Sequence, residues 1–230
     1  MNEWKGDPTD REEGSPPLDA EWLVNQVAHA LRNPIFAVTL QAESLALEYD
    51  DPAILDILRQ LQGLGHIVED MLLFGRPVSP DPRTFEARRF LESVVAEHRA
   101  GNRYGAAEIS LQMAEPELAV RWDEALVRTV LDKVLSNAMQ HTEAPHRIGI
   151  EVTVEGPSVR IVVSDDGDGI DPELMERIFL PFQPQHHGRP GLGLAIARKL
   201  CQAMGGSIAV SSTPGRGTTV TIVLPREMST

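Results

Sequence analysis

Val163–Ile196 reads VSDDGDGIDPELMERIFLPFQPQHHGRPGLGLAI, and the rest of the chain is arranged around it. The β-branched run Val159, Ile161, Val162 and Val163 leads into an acidic turn broken by glycines. That pattern predicts a strand delivering Asp165 to a loop whose backbone lies close to another group. Gly188, Gly191 and Gly193 then open a helix expected over Leu192–Met204. Glycines at a helix start leave N–H groups pointing at one spot, where the helix dipole adds positive potential. Such a place suits an anion such as phosphate.

Either glycine loop alone describes a pair of tight turns. Their order is more specific. An Asp-Gly-x-Gly turn (Asp166–Gly169, directly after Asp165), a Phe-x-Pro-Phe segment (Phe179–Phe182), a Gly-x-Gly-Leu helix start and a Gly215-Arg216-Gly217-Thr218 turn follow within about sixty residues of one another. As a set they resemble the nucleotide boxes of the ATP-binding domain of sensor histidine kinases, the fold shared with gyrase, Hsp90 and MutL. The resemblance implies that Asp165 reads the adenine amino group and that Gly167 and Gly169 let the backbone approach the base. It implies that Gly191, Leu192 and Gly193 lie under the phosphates and that Thr218 supports the adenine end.

The remaining sequence is consistent with that reading. With 230 residues the chain allows one large domain or two modest ones. A net charge of −13 argues against a nucleic-acid partner, which would need a basic face. Local cations still decide anion binding, and Lys133, Arg189 and the pair His186-His187 are the candidates. The single cysteine, Cys201, falls at an apolar position of a predicted helix, which predicts a buried thiol and no disulfide framework. No apolar run reaches the roughly 18 residues that cross a bilayer, and no signal-peptide core opens the chain. The expectation is a cytoplasmic protein with no membrane insertion.

Residues 1–19 are polar and read as a disordered lead. From about Leu18 to Glu48, Val24, Val27, Leu31, Ile35, Val38, Ala42 and Leu45 recur in steps of three and four, a helix with one apolar stripe interrupted by Pro34. After a turn at Asp50-Asp51-Pro52, the residues Ile54, Ile57, Leu61, Leu64, Val68 and Met71 step 3-4-3-4-3, a heptad seam. Two such helices make a hairpin with too little core to stand alone, so a homodimeric four-helix bundle through residues 20–75 is expected. His29 lies opposite the stripe, in solvent, with Asn33 one turn further along the same face. His29-Ala30-Leu31-Arg32-Asn33-Pro34 resembles the phospho-acceptor box of histidine kinases. Phe74-Gly75-Arg76-Pro77 is similar to the close of that domain in the nitrogen-regulator type.

Residues 78–84 read as a linker, followed by a helix near Glu86–His98, strands at Glu108–Met113 and Leu118–Trp122, and a helix over Asp123–His141. Val134–Thr142 resembles the family's N box. In that resemblance Asn137 binds the Mg²⁺ bridging the phosphates, and His141 is among the nucleotide-binding positions. A strand hairpin over Arg147–Glu155 and Ser158–Asp165 and two late strands near Ser207–Ser212 and Thr218–Leu224 complete a mixed sheet backed by helices. The expected fold is therefore α+β: a dimerisation and acceptor domain over 20–77 and an α/β sandwich ATP-binding domain over 85–226. The resemblance implies that ATP phosphorylates His29 and that the phosphoryl group passes to an Asp of a response-regulator receiver domain.

The sequence departs from the family at three places. Ala30 follows the acceptor where Glu or Asp serves as general base, Lys133 stands where a second Asn precedes Asn137, and His186 stands at a lid lysine. With Asn33 kept at the position that orients water, these departures also allow a regulator phosphatase or a non-catalytic ATP-binding partner.

Overall fold

The computed structural model describes residues 20–100, 108–140, 147–183 and 191–228. The chain divides into two compact units, at Arg76/Pro77.

The first unit is a helical hairpin of α1 (Ala20–Glu48) and α2 (Pro52–Gly75). Asp51 caps α2: its side chain accepts a hydrogen bond of 2.9 Å from the Ala53 N–H, and Pro52 occupies the first turn, where its missing N–H is no loss. α1 runs unbroken through Pro34, which deprives the Ala30 carbonyl of its i+4 donor. The helices meet along Ala28, Val68 and Leu72, with Ile35 and Met71 packed against them.

The single stripe expected on each helix divides into two. On α2, Ile54, Leu58, Leu61, Gly65, Val68 and Leu72 turn inward, whereas Ile57 and Leu64 are about half exposed. On α1, Val24, Ala28, Ile35 and Ala42 turn inward, whereas Val27, Leu31, Val38 and Leu45 are 41–47% exposed. One antiparallel partner covers only a narrow seam of a helix, so an apolar face wider than that seam keeps a second row outside it.

The second unit holds a two-stranded and a five-stranded sheet. β1 (Arg83–Glu86) pairs antiparallel with β3 (Ala119–Trp122). The larger sheet has the order β2 (Glu108–Met113), β4 (Arg147–Glu155), β5 (Ser158–Asp165), β7 (Gly217–Pro225), β6 (Ser207–Thr213). Only the β2–β4 pair is parallel. α3 (Ala87–Ala100), α4 (Glu124–Gln140) and α6 (Gly193–Ala203) pack with the sheet, α4 directly on α6, and α5 (Pro172–Met175) is a single turn. Strict alternation in β4 and β5 sends Ile148, Ile150, Val152, Val159, Ile161 and Val163 into the core, all at 2% exposure or less. The fold is the expected α+β arrangement. Arg83 and Thr84, read from composition as the end of a linker, begin β1 instead. That strand is fixed by its partner and by Phe85, whose ring meets Phe90 and Trp122 edge-on at 5.3 and 6.3 Å. Trp122 is fully buried and its indole N–H donates to the Pro225 carbonyl at 2.7 Å, tying the small sheet to the end of β7.

Cys201 lies on the buried face of α6, and burial pushes its thiol up to about 12 from 9.0. Above pH 9 the unfolded chain therefore binds fewer protons than the folded one, so this thiol makes stability fall with rising pH between about 9 and 12. A disulfide reagent at pH 8 is expected to leave Cys201 unmodified until denaturant is added; rapid labelling of the native chain contradicts the burial.

Candidate functional site

The site is built on the ends of three adjacent strands. Register sets Val163 beside Val220 and Val220 beside Val210, and one pleat further on it sets Asp165 beside Thr218 and Thr218 beside Ser212. Because residues two apart share a face, an apolar row and a polar row lie side by side across β5, β7 and β6. Val163, Val210, Val220, Asp165 and Thr218 line one cavity. Val134, Asn137 and Ala138 of α4 and Leu194 of α6 also line it, with Ile170, Leu174 and Ile178 from the segment after the acidic turn. The last three, one before, one within and one after the single turn α5, give the cavity an apolar wall.

Asp165 organises the polar row. Its Oδ1 accepts the Gly167 N–H at 3.0 Å and the Thr218 N–H at 3.2 Å, so one carboxylate oxygen holds both its own turn and the start of β7. Asp166, the next residue, accepts the Arg147 N–H at 2.8 Å and fixes the start of β4. The close approach has a steric requirement. Gly217 has φ +90°, and a Cβ there would stand 1.9 Å from the Asp165 carbonyl oxygen. Gly169 has φ +72°, with a Cβ position 2.3 Å from the Thr213 carbonyl oxygen. Only glycine satisfies both the backbone angle and the space at these positions.

At the other end, Asn137 on α4 faces the start of α6: a Cβ built on Gly193 would lie 3.6 Å from Asn137 Oδ1 and 3.9 Å from Lys133 Cβ. Lys133 and Asn137, four residues apart, share one helix face. α6 (Gly193–Ala203) starts after Leu192, whose side chain makes no capping hydrogen bond. An apolar slot with a hydrogen-bonding floor at one end, and an uncapped helix start beside a lysine at the other, suits a flat heteroaromatic group joined to an anion.

The structure thus brings Asp165, Gly169, Thr218 and Asn137 to one cavity, with Gly167 and Gly193 in the surrounding turns. Gly191, with φ +60°, sits against the Gln183 carbonyl. Leu192 is only 2% exposed, so its side chain belongs to the core and only its backbone can serve a ligand. His141, His186, His187, Gly188 and Arg189 lie outside the described residues. His29 and Asn33 are on α1, both exposed, as is Ala30. Sequence reading missed Arg177, the basic residue among the described cavity walls, and Ser212. Counting outward equally on both strands from Gly215, at the centre of the turn, would have set Ser212 opposite Thr218. No group of three or more His, Cys, Asp or Glu among the described residues could hold a metal. The one metal role these residues fit is Asn137 contributing an amide oxygen to a cation held mainly by phosphates.

Residues 122–228 match the family described as histidine kinase-, DNA gyrase B-, and HSP90-like ATPase. Over 208 residues the chain is 27% identical to the signal transduction histidine-protein kinase AtoS of Escherichia coli (strain K12), covering 88% of this chain and 34% of that protein. Histidine kinase ThkA, solved in complex with response regulator protein TrrA, matches with a TM-score of 0.66 at 25% identity over 89% of this chain and 61% of that one. Full-length ShkA, solved in complex with AMPPNP, matches in fold with a TM-score of 0.75 at 24% identity over 90% of this chain and 46% of that one. The chain spans about a third to a half of the length of the first curated relatives it matches.

Gly217→Ala tests the steric requirement. Backbone strain alone is expected to lower stability by about 1–3 kcal/mol, measurable as a reduced urea midpoint; an unchanged midpoint would show that the Asp165 turn does not need the glycine.

Proposed function

We propose, from the match of residues 122–228 to the histidine kinase-, DNA gyrase B-, and HSP90-like ATPase family and from the similarity to histidine kinases over most of the chain, that this is a sensor histidine kinase that uses ATP to phosphorylate its own His29. The observation that carries this reading is the cavity between α4 and the sheet, with Asp165 at one end and the Lys133–Asn137 face of α4 beside the start of α6 at the other. The adenine ring lies between the valine row and the apolar side of Ile170, Leu174 and Ile178. The Asp165 carboxylate accepts from the exocyclic amine, and Thr218 supports the same edge. The α6 N–H groups and Lys133 face the phosphates, where Lys133 acts as a point charge. Mg²⁺ supplies charge neutralisation of the phosphates when bound, with Asn137 as its protein ligand.

His29 is the nucleophile. The lone pair of its neutral imidazole forms the N–P bond at the γ-phosphorus while the bond to the β-phosphate oxygen breaks and ADP leaves. Its exposure on α1 leaves it open to an incoming phosphoryl donor. The hairpin forms a homodimer through residues 20–75, burying the outer row of Val27, Leu31, Val38, Leu45, Ile57 and Leu64 in a four-helix bundle. The phosphoryl group then passes to an Asp of a response-regulator receiver domain. The setting is the cytoplasm, where ATP is available.

Ala30 removes the carboxylate that would help deprotonate His29, a contribution of roughly 10²–10⁴-fold where such a base acts. Autophosphorylation is therefore slow and base-limited. Incubation with γ-labelled ATP and Mg²⁺ is expected to give acid-labile, alkali-stable label that is absent in His29→Ala and accumulates roughly 10²-fold faster in Ala30→Glu. Nucleotide binding without label in any variant would exclude the kinase and leave the regulator phosphatase, with Asn33 orienting water, or a non-catalytic ATP-binding partner.

A further inference from the structure

The polar row across β5, β7 and β6 ends on a side chain that sequence reading did not single out. Ser212 on β6 stands directly opposite Thr218, which stands directly opposite Asp165. Its hydroxyl is half-buried and reaches three groups from two segments. It accepts the Ile170 N–H at 2.8 Å, donates to the Gly217 carbonyl at 2.9 Å, and lies 3.0 Å from Thr218 Oγ1. Ile170 closes the Asp165–Gly169 turn and lines the cavity, while Gly217 and Thr218 open β7. The Gly215 N–H adds a parallel tie to the Asp168 carbonyl at 2.7 Å.

We infer that Ser212 is a positioning residue that sets adenine selectivity by locking the Asp165 turn against the start of β7. This rests on the proposal that the cavity takes ATP. The physical argument concerns what holds the Asp165 carboxylate. Its Oδ1 is aimed by two backbone N–H groups, those of Gly167 and Thr218, which belong to different segments. The β5–β7 pairing and the Gly215–Asp168 tie hold these segments near one another. Ser212 adds a side-chain bridge on the far side of the turn, through Ile170 on one side and Gly217 with Thr218 on the other. A hydroxyl is suited to this because it donates once and accepts twice. Replacing it with hydrogen leaves the Ile170 N–H and the Gly217 carbonyl without that partner in a partly buried place. The turn then drifts, and Asp165 drifts with it. Of the apolar walls, Ile170 is held by Ser212, whereas the valine row, Leu174, Ile178 and the start of α6 are placed by other contacts, so most of the ring stacking and the phosphate binding persist. The loss falls on the one contact that tells adenine from a purine lacking the 6-amino group.

The test uses the full chain and two probes, ATP and purine riboside triphosphate, which lacks the 6-amino group, with binding measured by calorimetry. Ser212→Ala is expected to weaken ATP binding by about tenfold and purine riboside triphosphate binding by less than about twofold, as loss of an aimed hydrogen bond to a charged group predicts. Ser212→Thr keeps the hydroxyl and is expected to restore the ATP preference. Thermal melts of both variants establish that they are folded. The inference is overturned if both probes weaken in parallel, since that is a structural effect, or if Ser212→Ala keeps the full preference for ATP. Failure of the unsubstituted chain to bind either probe would be a different result: it overturns the nucleotide reading itself, and this inference with it.

Discussion

One carboxylate oxygen holding two backbone N–H groups from separate segments is the constraint on which the cavity of the α/β unit depends. Asp165 Oδ1 joins the acidic turn to the first residues of β7. Hydrogen bonds to a charged acceptor are worth about 1.5–3 kcal/mol each, enough to keep a glycine-rich turn in one shape. The sheet register brings the partners into one row, and the glycines at 169 and 217 remove the atoms that would hold them apart. The same arrangement leaves a hydrogen-bonding edge at the floor of an otherwise apolar slot, so what closes the fold locally is also what equips the cavity to choose a ligand.

The two units divide the physical work. The α/β unit carries a core of its own, with Trp122, Leu135, Ile148, Ile161 and Leu200 fully buried. The hairpin buries only a narrow seam around Ala28, Val68 and Leu72 and leaves a second apolar row outside. The proposed homodimer would cover that row with another copy. The proposed acceptor, His29, then sits on a surface set apart from the seam, while α1 runs on through Pro34 and leaves the Ala30 carbonyl without its helical donor.

Much of this was legible in the sequence, for identifiable reasons. β4 and β5 were read with their full bounds because their alternation is strict and Glu155-Gly156-Pro157 marks the turn. Asp165, Gly169, Thr218 and Asn137, which the resemblance to the family's boxes singled out, line one cavity. What escaped was what depends on distant partners. β1 has four residues in a proline-rich setting and exists because Ala119–Trp122 pairs with it. The division of the helical stripes depends on how much of each helix its neighbour covers, which periodicity alone does not say. Leu192 was grouped with its flanking glycines, although its side chain is part of the core. Ser212 gains its contacts from cross-strand register, which only the turn at Gly215 sets.

The central claim is that the cavity floored by Asp165 and Thr218 is an adenine-nucleotide site. Calorimetric titration of the full chain and of Asp165→Asn with ATP in the presence of Mg²⁺ tests it most directly. The account predicts saturable binding by the unsubstituted chain, and loss of most of that affinity in Asp165→Asn while its thermal unfolding remains cooperative. Absence of binding to the unsubstituted chain, or equal affinity in a folded Asp165→Asn, would contradict it.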